Sequence, residues 1–137
     1  MVTTNLLDLR AEPRFEAERL SQLLFGEVVR TGGVRHGYCR IQQSDGYAGW
    51  VDRRFLCTIS QRAAHTFQKK ACHIVSSWKA NLTANDSIYP TPHFVFYGTH
   101  LRYIRSRNGI AFCELADGRS IQLNRNHLKP INAIKKE

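Results

Sequence analysis

The chain lacks any long hydrophobic run. No stretch of its 137 residues approaches the roughly 18 apolar positions that a membrane-spanning helix requires. The first ten residues have neither the basic start nor the apolar core of a secretory signal peptide. We therefore predict no membrane span, and we expect the protein to be cytoplasmic, or else a mature fragment whose leader has been removed.

Cysteine is sparse, and no two cysteines lie close together in the sequence. The four residues are Cys39, Cys57, Cys72 and Cys113, without a C-x-x-C pair. The six histidines show no H-x-x-x-H spacing. We therefore expect no metal site and no cofactor, and we interpret the cysteines as reduced, buried thiols. A disulfide is the alternative in an oxidising compartment.

Acidic residues are few, and they are unevenly distributed. The formal net charge is +9. Residues 1–57 carry eight arginines, no lysine and seven acids, whereas residues 58–137 carry the other twelve basic residues and only four acids. This asymmetry indicates two modules with different surfaces, and the basic half favours an anionic partner of some kind.

The remaining composition is that of a folded protein, with 42% hydrophobic and 23% charged residues. The stretch from Asp45 to Val51 combines an Asp-Gly hairpin signal, in which both turn positions are expected to have positive φ, with alternating side chains. Tyr47 and Val51 are expected on one face and Trp50 on the other. The two aromatic rings indicate either a structural corner or a shallow binding cleft.

Short alternating segments separated by turn residues dominate residues 1–57. The predicted strands are 5–10, 22–30 with a turn or bulge at 26–27, 38–42 and 47–51, with a connection at 31–33 and a single tight turn at 53–56. Turn signals at intervals of about 8 to 12 residues are typical of a small β-barrel. We therefore expect an all-β first module. Leu7 and Leu9 should share one face of the first strand, and in the strand at 38–42 Cys39 and Ile41 should lie opposite Tyr38, Arg40 and Gln42.

Residues 58–73 have a different pattern. Ser60 is a typical helix N-cap, and Ala63, Ala64, Phe67 and Ala71 have the spacing of one helical face. This segment predicts a short helix that connects two modules.

The order of the first module returns after residue 74, which indicates a divergent internal repeat. The matched segments are 8–11 with 81–84, 25–26 with 97–98, 38–41 with 112–115, 45–46 with 117–118, and 55–56 with 127–128. This alignment places Cys39 and Cys113 at the same repeat position. We predict a first module at 1–57, a helical linker at 58–73, a second module at 74–131 and a tail at 132–137.

Three segments of the first module carry a family resemblance. Asp8-Leu9-Arg10-Ala11-Glu12-Pro13, Leu23-Leu24-Phe25-Gly26-Glu27 and Asp45-Gly46-Tyr47-Ala48-Gly49-Trp50-Val51 resemble the bacterial SH3 (SH3b) domain. They are similar to the first of the tandem SH3b domains that precede the catalytic domain of NlpC-type cysteine endopeptidases. The resemblance implies two small SH3-like β-barrels joined by a short helix. The second module follows it loosely, with Arg119, Ser120 and Gln122 where aromatic and glycine residues are expected.

The same resemblance implies a function in the bacterial cell wall. NlpC-type enzymes cut the γ-D-glutamyl to diamino-acid bond of peptidoglycan stem peptides. Their nucleophile lies in a downstream domain with an aromatic-Trp-Gly-Gly segment and an Asp-Cys-Ser-Gly segment, and neither occurs in this chain. We therefore expect no catalysis here, but recognition of peptidoglycan peptides, with a C-terminal or separate cysteine peptidase domain as a partner.

Four residues of the first module are candidate ligand contacts. The resemblance places on Tyr47 a role in closing the peptidase cleft and in selecting stem peptides with a free N-terminal L-Ala, with Trp50 close by. Arg10 and Glu12 lie in the first loop, where SH3-like folds often bind ligands. The alternatives are an aromatic pair packed at the barrel edge, with Trp50 in the core, and a solvated ion pair.

A basic aromatic stretch in the second module supports a different hypothesis. Arg102, Tyr103, Arg105 and Arg107 are candidates to line a groove for a nucleic-acid backbone. The alternatives are a strand with a solvated arginine face and a module that binds an acidic protein. We expect nucleic acid not to be the partner.

Overall fold

The computed structural model describes residues 1–84 and 91–135. The first module contains five strands, β1 (Leu6–Arg10), β2 (Arg19–Leu24), β3 (Arg30–Arg35), β4 (Tyr38–Gln42) and β5 (Ala48–Asp52), followed by a 3₁₀ turn at Arg53–Phe55. They form one antiparallel sheet in the order β2-β1-β5-β4-β3. Strand β5 therefore lies at the centre of the sheet, with β2 and β3 at its edges.

Alternation of apolar and polar residues explains how this sheet folds. Leu7 and Leu9 of β1, Cys39 and Ile41 of β4, and Val51 of β5 are buried in one core cluster. Their strand neighbours point to the opposite face of the sheet, because side chains alternate along a strand. The expectation that Leu7 and Leu9 share one face of β1, and that Cys39 and Ile41 share one face of β4, is confirmed.

Helix α1 (Gln61–Lys70) connects the modules. The Ser60 side chain accepts a hydrogen bond from the Ala63 amide at 3.0 Å, as expected of an N-cap. Phe67 is buried, together with Ala71 at the C-cap, whereas Ala63 and Ala64 are half-buried.

The described part of the second module contains eight further strands and a short helix. The strands are β6 (His73–Val75), β7 (Lys79–Asn81), β8 (Thr83–Ala84), β9 (Phe94–Phe96), β10 (His100–Arg107), β11 (Ile110–Glu114), β12 (Ser120–Asn124) and β13 (Leu128–Pro130), with a 3₁₀ turn at Arg125–His127 and helix α2 (Ile131–Lys135). One sheet has the order β13-β6-β10-β11-β12-β8, and β7 pairs with β9. The prediction of an all-β chain with a short connecting helix is confirmed.

The turns establish the register of the repeat. Gly37 and Gly46 have positive φ, and so do Gly109 and Gly118, each 72 positions later. The Gly46 amide bonds to the Gln43 carbonyl at 3.0 Å, and the Gly118 amide bonds to the Leu115 carbonyl at the same distance. The two hairpins therefore have the same geometry, with Leu115 in the place of Gln43.

This register corrects one expectation about the cysteines. A shift of 72 positions aligns Cys39 with Ala111 and Cys113 with Ile41. The two cysteines thus occupy different repeat positions, although both are buried. Matching the aromatic-Cys pair of one module with that of the other shifts the alignment by two residues. A shift of two residues keeps each side chain on the same face of its strand, so both cysteines remain on the buried face.

Three local predictions were wrong. Residues 31–33 are part of β3 and not a connection, and the strand expected at 22–30 ends at Leu24. The Asp45-Gly46 turn has positive φ only at Gly46, because the Asp45 carboxylate accepts the Tyr47 amide at 3.1 Å and stabilises a longer turn.

The two modules share a hydrophobic core. Met1 and Phe25 of the first module belong to the same buried cluster as Phe67 of α1 and Val75 and Leu101 of the second module. A small β-module buries little apolar area alone, so the shared cluster stabilises both. None of the described helices has the length and apolar character needed to cross a membrane.

The Gln43 side chain breaks the apolar pattern of the core. It is only 8% exposed, and its Oε1 has no hydrogen-bond partner among the described residues. An unpaired buried amide destabilises the folded state, whereas a leucine at this position would have no polar group to leave unpaired.

We expect Gln43→Leu to raise the free energy of unfolding by about 1–2 kcal/mol in urea denaturation. Gln68→Leu, on the exposed surface of α1, should leave stability nearly unchanged, and a destabilised Gln43→Leu variant would contradict this account of the site.

The four cysteines are free thiols, but they differ in exposure. Cys72 is exposed, whereas Cys57 is half-buried, so the expectation of uniformly buried thiols is wrong for these two. Burial raises the pKa of Cys113 to about 12, which leaves almost no reactive thiolate near neutral pH.

We expect iodoacetamide at neutral pH to modify Cys72 first in the native protein. Mass spectrometry of proteolytic peptides measures how fast each cysteine is modified. Cys113 should react only after unfolding in denaturant. Modification of native Cys113 as fast as Cys72 would show that the second-module core is open.

Candidate functional site

Trp50 lies at the centre of the outer face of the first sheet. It pairs with Arg10 of β1 on one side and with Arg40 of β4 on the other. The neighbouring residues Gly49 and Val51 are buried on the inner face. Trp50 itself is half-buried and belongs to neither core cluster, so the interpretation of Trp50 as a core residue is wrong.

Gly49 brings β1 and β5 unusually close together. A Cβ atom at position 49 would lie 2.6 Å from the Arg10 carbonyl oxygen and 3.0 Å from the Leu9 Cδ1. Only glycine fits this approach, because no other residue lacks a Cβ. The glycine therefore fixes Trp50 beside the loop that follows β1.

The loop after β1 forms one wall of a cleft over Trp50. The Arg10 guanidinium donates to the Ala17 carbonyl at 3.1 Å and to the Asp8 carboxylate at 2.9 Å, and it lies 5.2 Å from the centre of the Phe15 ring. Its side chain is only 17% exposed. Arg10 therefore holds the loop in place, because both of its terminal nitrogens donate hydrogen bonds within the first module.

Glu12 lies on the same loop and lines the cleft. Its carboxylate accepts two hydrogen bonds from Arg14, at 3.0 and 2.7 Å. Both side chains are exposed, so this ion pair contributes little to stability. Glu12 is consequently available to share its carboxylate with a cationic ligand group.

The hairpin between β3 and β4 forms the opposite wall. Arg35, His36, Tyr38 and Arg40 line the cleft from this side, and the Arg40 guanidinium lies 5.8 Å from the centre of the Trp50 indole. His36 and Gly37 both have positive φ, which produces the tight turn that carries this wall. We call the space between the two walls the Trp50 cleft; its volume is about 710 Å³.

The cleft has a definite chemical character. Its lining includes three arginines, Arg14, Arg35 and Arg40, and one carboxylate, Glu12. The indole of Trp50 supplies an apolar floor. Such a surface fits a short ligand that carries carboxylates, one cationic group and a small apolar portion.

Tyr47 lies apart from this cleft. It closes the turn at the end of the β4–β5 hairpin, where its carbonyl accepts the Gln43 amide at 2.7 Å, and it is 55% exposed. It is not among the described residues that line the Trp50 cleft. The structure therefore places Glu12 and Trp50 on one cleft, whereas Arg10 supports the wall of that cleft without lining it and Tyr47 lies at a different surface.

The hairpin wall carries no ligand-binding motif in the sequence. Arg35, His36, Tyr38 and Arg40 were not candidates for ligand contact, although Tyr38 and Arg40 were expected on the face opposite Cys39 and Ile41. That alternation could have identified Tyr38 and Arg40 as contacts, because it places them on the same outer face of the sheet as Trp50. Within residues 1–84 and 91–135, no three His, Cys, Asp or Glu side chains come together as a possible metal site.

Adding one methyl group at position 49 tests the close approach of β1 and β5. We expect Gly49→Ala to lower the free energy of unfolding by about 1–3 kcal/mol, because the strands must separate to accommodate it. Urea denaturation followed by Trp fluorescence measures this change. Gly33→Ala is the matched control, since a Cβ at position 33 has no atom within 4 Å. Equal effects of the two substitutions would contradict the close approach of β1 and β5.

Comparison with known proteins agrees with this architecture. Residues 9–56 match the model of the bacterial dipeptidyl-peptidase SH3 domain. The crystal structure of an NlpC/P60 family protein from Bacillus cereus ATCC 10987 has a TM-score of 0.73 and 16% sequence identity to this chain. The match covers 93% of this chain and 54% of that one, so the chain spans about half the length of its structural relative. No curated protein matches the chain. Residues 9–56 are thus similar to a bacterial SH3 domain, and the fold of the chain resembles about half of an NlpC/P60 family protein.

Proposed function

We propose that this chain recognises and positions peptidoglycan stem peptides for a cell-wall cysteine peptidase, as its N-terminal part or as a separate companion. The carrying observation is the Trp50 cleft, which combines an indole floor with arginines and one carboxylate. The match of residues 9–56 to a dipeptidyl-peptidase SH3 domain supports a peptidase context. The fold shared with an NlpC/P60 family protein supports the same context.

The chemistry of a stem peptide complements the cleft. Its N-terminal L-Ala carries an ammonium group and a methyl group, and the γ-linked D-Glu leaves a free carboxylate. In this proposal the methyl group packs on Trp50, the ammonium group approaches Glu12, and the carboxylate pairs with Arg35 or Arg40. Charge-assisted hydrogen bonds of this kind are stronger than neutral ones and fix the orientation of a ligand.

Tyr47 has a separate role in this proposal. Its ring is exposed at the end of the hairpin and offers an apolar face and one hydroxyl. We assign to it contact with a peptide held by the separate peptidase domain. Binding to the chain by itself should then depend on Trp50 and not on Tyr47.

The basic face of β10 supports a second candidate function. Arg102 pairs with Glu114 at 3.5 Å, whereas Arg105 stacks 4.7 Å from the centre of the Phe112 ring and Arg107 is exposed. Arginines beside an aromatic ring are typical of surfaces that bind single-stranded nucleic acid. Salt-dependent binding of a DNA oligonucleotide would favour this function over peptide recognition.

Titration of the peptide L-Ala-γ-D-Glu-diamino acid against the chain, followed by calorimetry, tests the proposal. We expect Trp50→Ala to weaken binding at least about tenfold, as for loss of a central aromatic contact. Tyr47→Ala should bind like the unmodified chain. Trp78→Ala removes an indole that is 75% exposed outside the cleft and is the matched control. Absence of binding, or equal affinity of the Trp50→Ala and Trp78→Ala variants, would refute the assignment.

A further inference from the structure

A groove lies between β3 and the segment that leads to α1. Thr31 and Val34 of β3 line it, together with Leu56, Cys57 and Ile59 of that segment. Val34 is 54% exposed, so the groove is open to solvent along the strand. We call this space the Thr31 groove; its volume is about 310 Å³, at the lower end of the range for ligand pockets in proteins.

In the second module an aromatic ring occupies the position that corresponds to Thr31. Tyr103 stands 72 positions after Thr31 and pairs with the equivalent residue of the neighbouring strand. Its ring lies 4.9 Å from the centre of the His73 ring and packs against the core of the second module. Thr31 is exposed and has no ring, so the first module leaves this position open.

Arg53 can repeat a contact that the second module makes to Tyr103. The Arg125 guanidinium lies 5.1 Å from the centre of the Tyr103 ring, and Arg53 stands 72 positions before Arg125. Arg53 lines the Thr31 groove, and its guanidinium forms no ion pair with a described carboxylate. A guanidinium is attracted to the face of an aromatic ring. The groove therefore contains the cation of this contact but not the ring.

The free edge of β3 offers a place for the backbone that carries such a ring. Within the part of the chain that the structure describes, β3 pairs only with β4, and all six of its residues are exposed. The backbone N–H and C=O groups that point away from β4 are therefore available to an added strand. Addition of an extended peptide to the edge of a sheet is a common mode of peptide recognition.

The charge of β3 indicates what kind of strand can be added. Arg30 and Arg35 stand at its two ends, and neither forms an ion pair among the described residues. Their register partners Gln42 and Tyr38 carry no charge that could neutralise them. A basic strand edge repels a basic peptide and attracts an acidic one.

We propose that β3 and the Thr31 groove bind an extended acidic peptide segment that carries one aromatic side chain. The segment adds as a strand to the free edge of β3, and its aromatic ring enters the groove beside Arg53. The residues on either side of the ring are acidic and point to the other face of the added strand, where Arg30 and Arg35 lie.

The Thr31 groove is on the opposite face of the sheet from the Trp50 cleft. Thr31 and Val34 pair with the buried residues Ile41 and Cys39, whereas Trp50 pairs with Arg40 of the outer face. Binding in the groove therefore does not require the Trp50 indole.

Three peptides test the two parts of this ligand. The probe is the acetylated and amidated hexapeptide Thr-Glu-Phe-Glu-Thr-Glu; one variant has alanine in place of phenylalanine, and the other has glutamine in place of each glutamate. In NMR titrations we expect saturable shifts at the amides of β3 and of residues 57–59, with nuclear Overhauser effects from the phenylalanine ring to the Val34 methyl groups. The alanine peptide should bind at least about tenfold more weakly, and the glutamine peptide at least about fivefold.

One substitution transfers the ring of the second module to the first. Thr31→Tyr should fill the groove, so the phenylalanine and alanine peptides should bind this variant with equal affinity. We expect the fold to be retained, because tyrosine occupies the equivalent position of the second module. Thr83→Tyr is the matched control, since it adds the same ring to an exposed strand residue far along the chain.

A second substitution removes the cation without filling the groove. Arg53→Gln should weaken the phenylalanine peptide at least about threefold, through loss of the contact with the ring. Arg107→Gln lowers the net charge by the same amount at an exposed position of β10 and should have a smaller effect. Trp50→Ala should leave these titrations unchanged, so failure of this inference is distinguishable from failure of the peptide site at Trp50.

The inference is overturned if no peptide gives saturable shifts at β3, or if the phenylalanine and alanine peptides bind the unmodified chain equally. It is also overturned if Thr31→Tyr retains the preference for phenylalanine, or if Thr83→Tyr abolishes that preference as well. Shifts that are confined to the Trp50 cleft and disappear in Trp50→Ala would assign the peptide to that cleft instead. Equal effects of Arg53→Gln and Arg107→Gln would remove the role of Arg53.

Discussion

The architecture of the Trp50 cleft depends on the close approach of two backbones at Gly49. With a Cβ position only 2.6 Å from the Arg10 carbonyl oxygen, no side chain fits between β5 and β1. The approach sets the register in which Trp50 lies between Arg10 and Arg40. The loop after β1, which Arg10 holds through Ala17 and Asp8, then forms a wall over the indole. Thus one backbone contact determines where the indole lies and which side chains surround it.

The two modules share their hairpin turns but differ in the side chains beside those turns. Both copies retain the hairpin turns, with Gly46 and Gly118 at positive φ. They differ in what surrounds those turns. Tyr47 is exposed, whereas Arg119 at the matching position forms an ion pair with Asp117 at 2.6 Å that is largely buried. At this turn the first copy therefore presents an exposed aromatic ring, where the second copy has a largely buried ion pair.

Much of the fold can be predicted from the alternation of apolar and polar residues, because a strand that is buried on one face has an apolar residue at every second position. Leu7 with Leu9, and Cys39 with Ile41, were identified in this way, and Ser60 marked the start of α1. Strand β3 was missed because Gly32 and Gly33 carry no side chain, so its pattern contains no alternation to detect. Of the candidate contacts, Trp50 and Glu12 line one cleft and Arg10 supports its wall, but the hairpin wall depends on pairing between β3 and β4, which is not local in sequence. The separation of Tyr47 from the cleft likewise depends on the turn geometry around Gly46.

The central claim is that an acidic stem peptide rests on Trp50. Intermolecular nuclear Overhauser effects between L-Ala-γ-D-Glu-diamino acid and the chain test it most directly. The account predicts contacts from the alanine methyl group to the indole protons of Trp50, together with contacts to the hairpin wall at Tyr38. Contacts confined to another surface, with none to the indole, would contradict it.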